Sequence, residues 1–206
     1  MSVPRSRVAF TRQLPQDRRR ALIDATIASL KQSGHDGLSV RRIAAAAGVS
    51  IGLINHHFPS INELIAEAYR QFSRELVSSL ERALSSVPDS PRARLHVFIK
   101  ASLSPPTLDS DLLNVWIVFW GLHKHSHEIQ RVHSEVYGAY IDLVRGLLSA
   151  VAAESGTKRF NPRLTAIGLI AMLDGLWLEW CLDPSTFQPQ EAESLCESWI
   201  DTVCGP

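Results

Sequence analysis

Residues 39–58 read Ser39-Val-Arg-Arg-Ile-Ala-Ala-Ala-Ala-Gly48-Val-Ser50-Ile-Gly-Leu-Ile-Asn-His-His-Phe58, two short helical patterns joined at a glycine turn. Gly48 can leave the first helix in a left-handed conformation without a Cβ clash, and Ser50 can cap the second with its hydroxyl. Ile43, Ala44, Ala47, Val49 and Ile54 then fall on the inward sides of the two helices, where small and branched groups allow a close crossing. That spacing is a helix-turn-helix, a unit that sets its second helix into the major groove of DNA. The candidate DNA contacts are Arg18, Ser39, Arg41, Arg42, Ser50, Asn55, His56 and His57, with Gly52 letting the backbone approach the duplex.

The formal net charge of zero hides two oppositely charged parts. Residues 1–60 hold 9 Lys and Arg against 3 Asp and Glu, and residues 61–206 hold 12 against 18. The basic end includes Arg5, Arg7 and Arg12, in a segment where Pro4 and Pro15 discourage continuous helix, followed by Arg18, Arg19 and Arg20. Such an arm can lie in the minor groove or along phosphates, or remain a solvated tail. The acidic remainder is repelled by DNA and helps orient docking.

Leu22-Ile-Asp-Ala-Thr26, Ser39-Val-Arg-Arg-Ile-Ala44, Ala47-Gly-Val-Ser50 and His57-Phe58-Pro-Ser60 followed by Glu63-Leu64 resemble the DNA-binding domain of the tetracycline-repressor (TetR) family of bacterial regulators. The resemblance implies an all-α protein, with a three-helix DNA-binding domain, a helical ligand-binding and dimerisation domain, and repression relieved by a small molecule. Asn55 stands where the family commonly has tyrosine, and Ile61 where a phosphate-contacting lysine is usual.

Residues 1–62 are accordingly expected to form the arm and head, and residues 63–206 the body. Ser60-Ile-Asn-Glu63 is a capping-box pattern opening a long helix to about Leu84. Breaks at Val87–Pro91, Ser104–Thr107, Glu154–Pro162 and Asp183–Pro189 divide the remainder, giving about nine helices and no convincing strand. No apolar run approaches eighteen residues and no signal-peptide pattern is present, so a cytoplasmic protein without membrane attachment is expected. Cys181, Cys196 and Cys204 lack metal spacing and read as idle thiols.

In the body, Trp116 and Trp120 are four residues apart on one helical face with Phe119 beside them, and Trp177 and Trp180 follow Asp174 on a later helix. Aromatic rings grouped around one carboxylate suit a quaternary ammonium ion, which donates no N–H bond and is held by cation–π attraction and counter-charge. Trp116, Phe119, Trp120, His123, Asp174 and Trp177 are the candidate ligand residues. For Trp177 and Trp180, a core or interface role is equally open.

Val115-Trp-Ile-Val-Phe-Trp120 and Leu173-Asp-Gly-Leu-Trp-Leu178 also resemble a narrower branch of the family, the repressors of the choline-to-glycine-betaine pathway. That implies choline or betaine aldehyde as inducer, with a polyamine or another amine as the competing class. The family resemblance further implies a homodimer on palindromic operator DNA, paired through the last two helices, about 161–182 and 189–203. Their stripes include Leu169, Met172, Leu176, Leu195 and Trp199.

His123, His125, His127 and His133 form no metal set, because only His123 and His127 share a helical face and no Cys or carboxylate completes it. No metal or cofactor is expected. Nucleophile elbows, phosphate-cradling glycine loops and paired-carboxylate signatures are missing from the sequence, so an enzyme is not expected. The rival binding class is a sensor or scaffold that no longer holds DNA.

Overall fold

Side chains that accept from the first free amides start most of the helices of this chain. The computed structural model describes residues 15–87, 90–156 and 159–205. Arg5, Arg7 and Arg12 of the expected arm lie outside the described residues. In chain order the α-helices are α1 (Pro15–Ser33), α2 (Val40–Ala46), α3 (Ile51–His57), α4 (Ile61–Ser85), α5 (Pro91–Ser102), α6 (Asp111–His123), α7 (His127–Ser155), α8 (Pro162–Leu182) and α9 (Pro189–Cys204), with a 3₁₀ turn at Gly34–Leu38. Ser50, Ser60, Ser90, Ser126 and Asn161 accept from the amides of Leu53, Glu63, Ala93, Ile129 and Leu164. Proline occupies the first turn of α5, α8 and α9, where its missing N–H costs nothing. Gly48, at φ +66°, makes the left-handed exit from α2 that its position in the sequence requires.

Two apolar clusters hold the helices together. The upper one joins Leu22, Ile43, Ile54 and Phe58 of the head to Leu64, Ile65, Ala68, Tyr69 and Phe72 of α4, and continues through Val115, Phe119 and Val132 to Trp177. The lower one gathers Leu80 and Leu84 of α4 with residues of α5, α7, α8 and α9. Helix α4 contributes to both. Asn114 of α6 donates through Nδ2 to the carbonyl of Lys31, at 3.1 Å, tying the body to the last turn of α1.

Helices α7 and α8 are long and apolar enough on average to cross a membrane. Their apolar sides meet instead: Val144, Leu147 and Leu148 share the lower cluster with Ala166, Leu169, Ile170 and Leu173. Asp142 and Arg145 interrupt the apolar residues of α7, which is why no unbroken run shows in the sequence.

Helix α8 is apolar on two opposite faces, and this corrects part of the expected dimer stripe. Leu169 is fully buried within the protomer, and Met172, Leu176 and Trp199 pack half-buried against the same cluster. The Trp199 ring lies so close to Gly168 that a Cβ there would sit 3.0 Å from it. The exposed face of α8 carries Leu164, Ile167, Ala171 and Leu182, and Leu195 is exposed on α9. At about 100° per residue Leu164, Ile167, Ala171 and Leu182 fall within one stripe, opposite Leu169 and Leu173.

The 3₁₀ turn is pressed onto α1 at Gly37. The Ser29 hydroxyl donates to the Gly37 carbonyl at 3.0 Å, and a Cβ on Gly37 would run into the Ser29 carbonyl oxygen. Because that obstacle is backbone, Gly37→Ala is expected to lower stability by about 1–3 kcal/mol in urea denaturation. The Gly52→Ala change, where space is open, should leave stability within about 0.5–1 kcal/mol of wild type.

Candidate functional site

Two surfaces carry chemistry: the outer face of the helix-turn-helix and a cavity inside the body. On the first, Ile43, Ala44 and Ile54 are buried, while Ser39, Arg41, Arg42, Ser50, Gly52, Asn55 and His56 are exposed and His57 is half-exposed. Ser39 precedes α2 without capping it, so its hydroxyl is left for another acceptor or donor. Burial first, and then the positive charges of His56, Arg18 and Arg19, pushes the His57 imidazole below its ordinary pKa. His57 therefore presents a neutral ring at neutral pH. Ile51, to which the sequence reading gave no role, is exposed at the first turn of α3.

Arg18 meets His57 through its charge, whereas Arg19 is held by direct contacts. The Arg19 guanidinium lies 4.3 Å from the centre of the Phe58 ring, donates to the His57 carbonyl at 3.2 Å and faces Glu67 at 3.6 Å. It clamps the end of α3 onto α1 and α4. Beyond it, Glu67 pairs with Arg70, whose Nε donates to both oxygens of Glu135 on α7, at 3.2 and 3.1 Å. Arg74 reaches the same carboxylate at 2.8 Å. A chain of alternating charges thus runs from the end of α3 to α7.

The back of that chain is the cavity. It encloses about 140 Å³ between α4, α5, α6, α7 and α8, and its wall includes Trp116, Trp120, Tyr69, His133, Tyr137, Tyr140, Asp174 and Trp177. Trp116 and Trp120 stack at 5.8 Å, and Trp120 is 42% exposed, which places it at the mouth. Trp177 is fixed by donating Nε1–H to the Thr107 carbonyl at 3.2 Å. Tyr69 hydrogen-bonds Nδ1 of His133 at 2.7 Å. The Ser73 hydroxyl, also in the wall, is buried and has no hydrogen-bond partner.

Asp174 supplies the carboxylate of this wall. It is an exposed residue that also lines the cavity, and the surrounding protein raises its pKa by burial to about 6. Its charge adds to burial in pushing Tyr69 and Tyr137 above the usual phenol range. Burial, followed by the His123 charge, lowers the His133 pKa. At neutral pH the wall therefore combines electron-rich rings, one carboxylate and an uncharged imidazole.

Four of the six expected ligand residues, Trp116, Trp120, Asp174 and Trp177, reach the cavity. Phe119 does not: it is buried behind the wall, stacked on Tyr69 at 4.4 Å, because it lies on the core side of α6. His123 also stands outside, edge-on to His133 at 4.7 Å, and Trp180 packs against the upper cluster. Tyr69, Tyr137 and Tyr140 were missed by sequence reasoning. His133, Tyr137 and Tyr140 recur at i, i+4 and i+7, a legible aromatic stripe, although its direction was not.

Comparison with known proteins agrees with this architecture. Residues 22–68 match the family described as bacterial regulatory proteins, tetR family, and residues 91–205 match the BetI-type transcriptional repressor C-terminal domain. The chain is 30% identical over 188 residues to the HTH-type transcriptional regulator BetI of Paraburkholderia phymatum, covering 90% of this chain and 92% of that one. A solved transcriptional regulator from Pseudomonas aeruginosa PAO1 superposes with a TM-score of 0.87 at 44% identity, covering 96% of this chain and 95% of that one. A regulator from Saccharomonospora viridis, solved in complex with choline, shares the fold with a TM-score of 0.77 at 20% identity, covering 90% of this chain and 96% of that one.

The contrast between the two arginines is testable. Arg19→Ala should destabilise the protein by about 1–2 kcal/mol in urea, through loss of the ring contact and one hydrogen bond. Arg18→Ala should leave the denaturation midpoint unchanged and weaken DNA binding, with a shallower salt dependence in fluorescence anisotropy.

Proposed function

The chain belongs to the TetR family of bacterial regulators with a BetI-type repressor C-terminal domain, and from that membership we propose that it is a homodimeric repressor released from a palindromic operator by choline or a closely related quaternary ammonium ion. As a member it is a ligand-responsive transcriptional regulator rather than an enzyme. The head, residues 1–62, holds DNA in the cytoplasm, and the body, residues 63–206, pairs the chains and receives the ligand.

The observation that carries the ligand assignment is the cavity wall: stacked Trp116 and Trp120, with Trp177, Tyr69 and Tyr137, around Asp174. A trimethylammonium group asks for rings and one counter-charge, and those are the groups supplied. The volume of about 140 Å³ equals that of about five waters at liquid density, room for such a head with a short tail. A polyamine would need an acceptor for each ammonium, and Asp174 is the single carboxylate among the residues described in the wall. The partnerless Ser73 hydroxyl supports a ligand that itself carries a hydroxyl, as choline does. The choline complex of the Saccharomonospora viridis regulator agrees with this reading.

Pairing through the exposed stripe of α8 and Leu195 of α9 would set two copies of α3 about 34–36 Å apart, one turn of DNA. Ligand drawn between α4, α6 and α8 moves helices that also touch the head, through Asn114 on α1 and through the Arg19–Glu67–Arg70–Glu135 chain. A preference of a few kcal/mol for a spread dimer is enough to release DNA.

The decisive experiment is anisotropy of labelled DNA from upstream of the gene, at two salt concentrations and then with choline. Tight, salt-sensitive binding reversed by choline is the expected result; binding indifferent to choline rejects the ligand, and binding no tighter than to random DNA rejects the repressor.

Mutations should separate the parts of the cavity. Trp116→Ala is expected to weaken choline binding by about tenfold in calorimetry, and Asp174→Asn by at least about tenfold, with operator affinity retained. Ser73→Ala should weaken choline but leave tetramethylammonium, which has no hydroxyl, unaffected. The cation favours ionised Asp174, so affinity should be flat above about pH 7 and fall below pH 6, by about tenfold per pH unit, as the carboxylate takes up its proton. The lowered pKa of His133 keeps its ring uncharged over the flat part of that profile.

A further inference from the structure

Outside the cavity, α5 and α9 face one another with complementary charges. Arg92 pairs with Asp201, and one turn along, His96 lies between two glutamates of α9. Its Nε2 is 3.8 Å from Oε1 of Glu193, and its Nδ1 touches Oε1 of Glu197. One donor atom from each of His96, Glu193 and Glu197 can be chosen so that all three lie within 4.8 Å of one another.

Ligand atoms bound tetrahedrally to zinc at about 2.0–2.1 Å are spaced by about 3.3 Å, so the three atoms would close by up to about 1.5 Å through side-chain rotation. Glu193 and Glu197 are like charges at i and i+4, an unfavourable pair unless a positive charge stands between them. In addition, Oε1 of Glu197 is sealed from solvent, and the imidazole nitrogen lies against it without hydrogen-bond geometry. A cation held between the imidazole and the carboxylates would replace that poorly aligned contact and satisfy the sealed oxygen. Arg92 is already engaged by Asp201 and does not fill this role.

We propose that His96, Glu193 and Glu197 form a three-ligand site for a divalent transition metal of the zinc type, with the fourth position open to water. One imidazole and two carboxylates suit zinc, and cobalt is its spectroscopic substitute. The site fastens α5 to α9. Leu195 lies two residues from both glutamates and so about 200° round the helix, which leaves the metal ligands clear of the expected dimer stripe.

The test uses full-length protein stripped with a chelator and titrated with zinc by calorimetry and with cobalt by visible absorption. Saturable binding of one zinc per chain is expected, with a raised Tm. His96→Ala and Glu193→Gln should each weaken it at least tenfold while leaving the circular dichroism spectrum and operator binding unchanged. The half-exposed positions make Glu193→Gln the milder check on folding. Zinc binding that survives both changes, or that is lost instead on replacing His125 and His127 in and after the α6–α7 turn, overturns the assignment. Absence of saturable binding also overturns it and leaves His96 as a simple ionic clamp.

Discussion

The constraint on which the rest depends is the packing of one continuous helix into two cores. Helix α4 buries Leu64, Ile65 and Ala68 against the head and Leu80 and Leu84 in the body, while Tyr69 and Ser73 between them face the cavity. A helix of this length, about 37 Å from end to end, keeps its hydrogen-bond ladder only if it moves as a unit. Any shift of the middle, where the cavity lies, is therefore felt at the first turn, where α3 is seated. The lateral ties at Asn114 and Arg19 restrict which shifts are available.

Electrostatics divides the same helix lengthwise. On one side Tyr69 meets His133 in a nearly uncharged, aromatic environment, and on the other side the adjacent Arg70 meets Glu135 among exposed charges. The inner side makes a lone carboxylate costly to ionise, which is the physical origin of the raised Asp174 pKa. It also makes a cationic ligand valuable, since the ligand returns the solvation that the carboxylate lost. The outer side is in water, where each ion pair contributes little by itself. Its effect is geometric: it fixes the register between α4 and α7.

Much of this was legible in the chain. Gly48 and Ser50 announced the turn because a left-handed residue and a capping hydroxyl are local requirements, met within a few residues. The helix boundaries were legible for the same reason, with serine, asparagine and proline marking the starts. Trp116 and Trp120 could be placed on one face by spacing alone. Phe119 could not be separated from them, since α6 is apolar nearly all round and periodicity does not say which side meets a cavity. Leu169 shows the same difficulty on α8: both faces are apolar, and only the packed body reveals that one is filled from within the protomer.

The sequence by itself determined the elements and the character of their surfaces, because caps, turns and helical faces follow from residues close along the chain. It also determined the separation of a basic head from an acidic body. Tertiary structure decided what those faces meet. The cavity collects Tyr69, Trp116, Tyr137 and Asp174 from four helices, Arg19 closes on Phe58 across 39 positions, and His96 finds two glutamates about a hundred residues away. Such meetings depend on how helices cross in space, which no periodicity within one helix records.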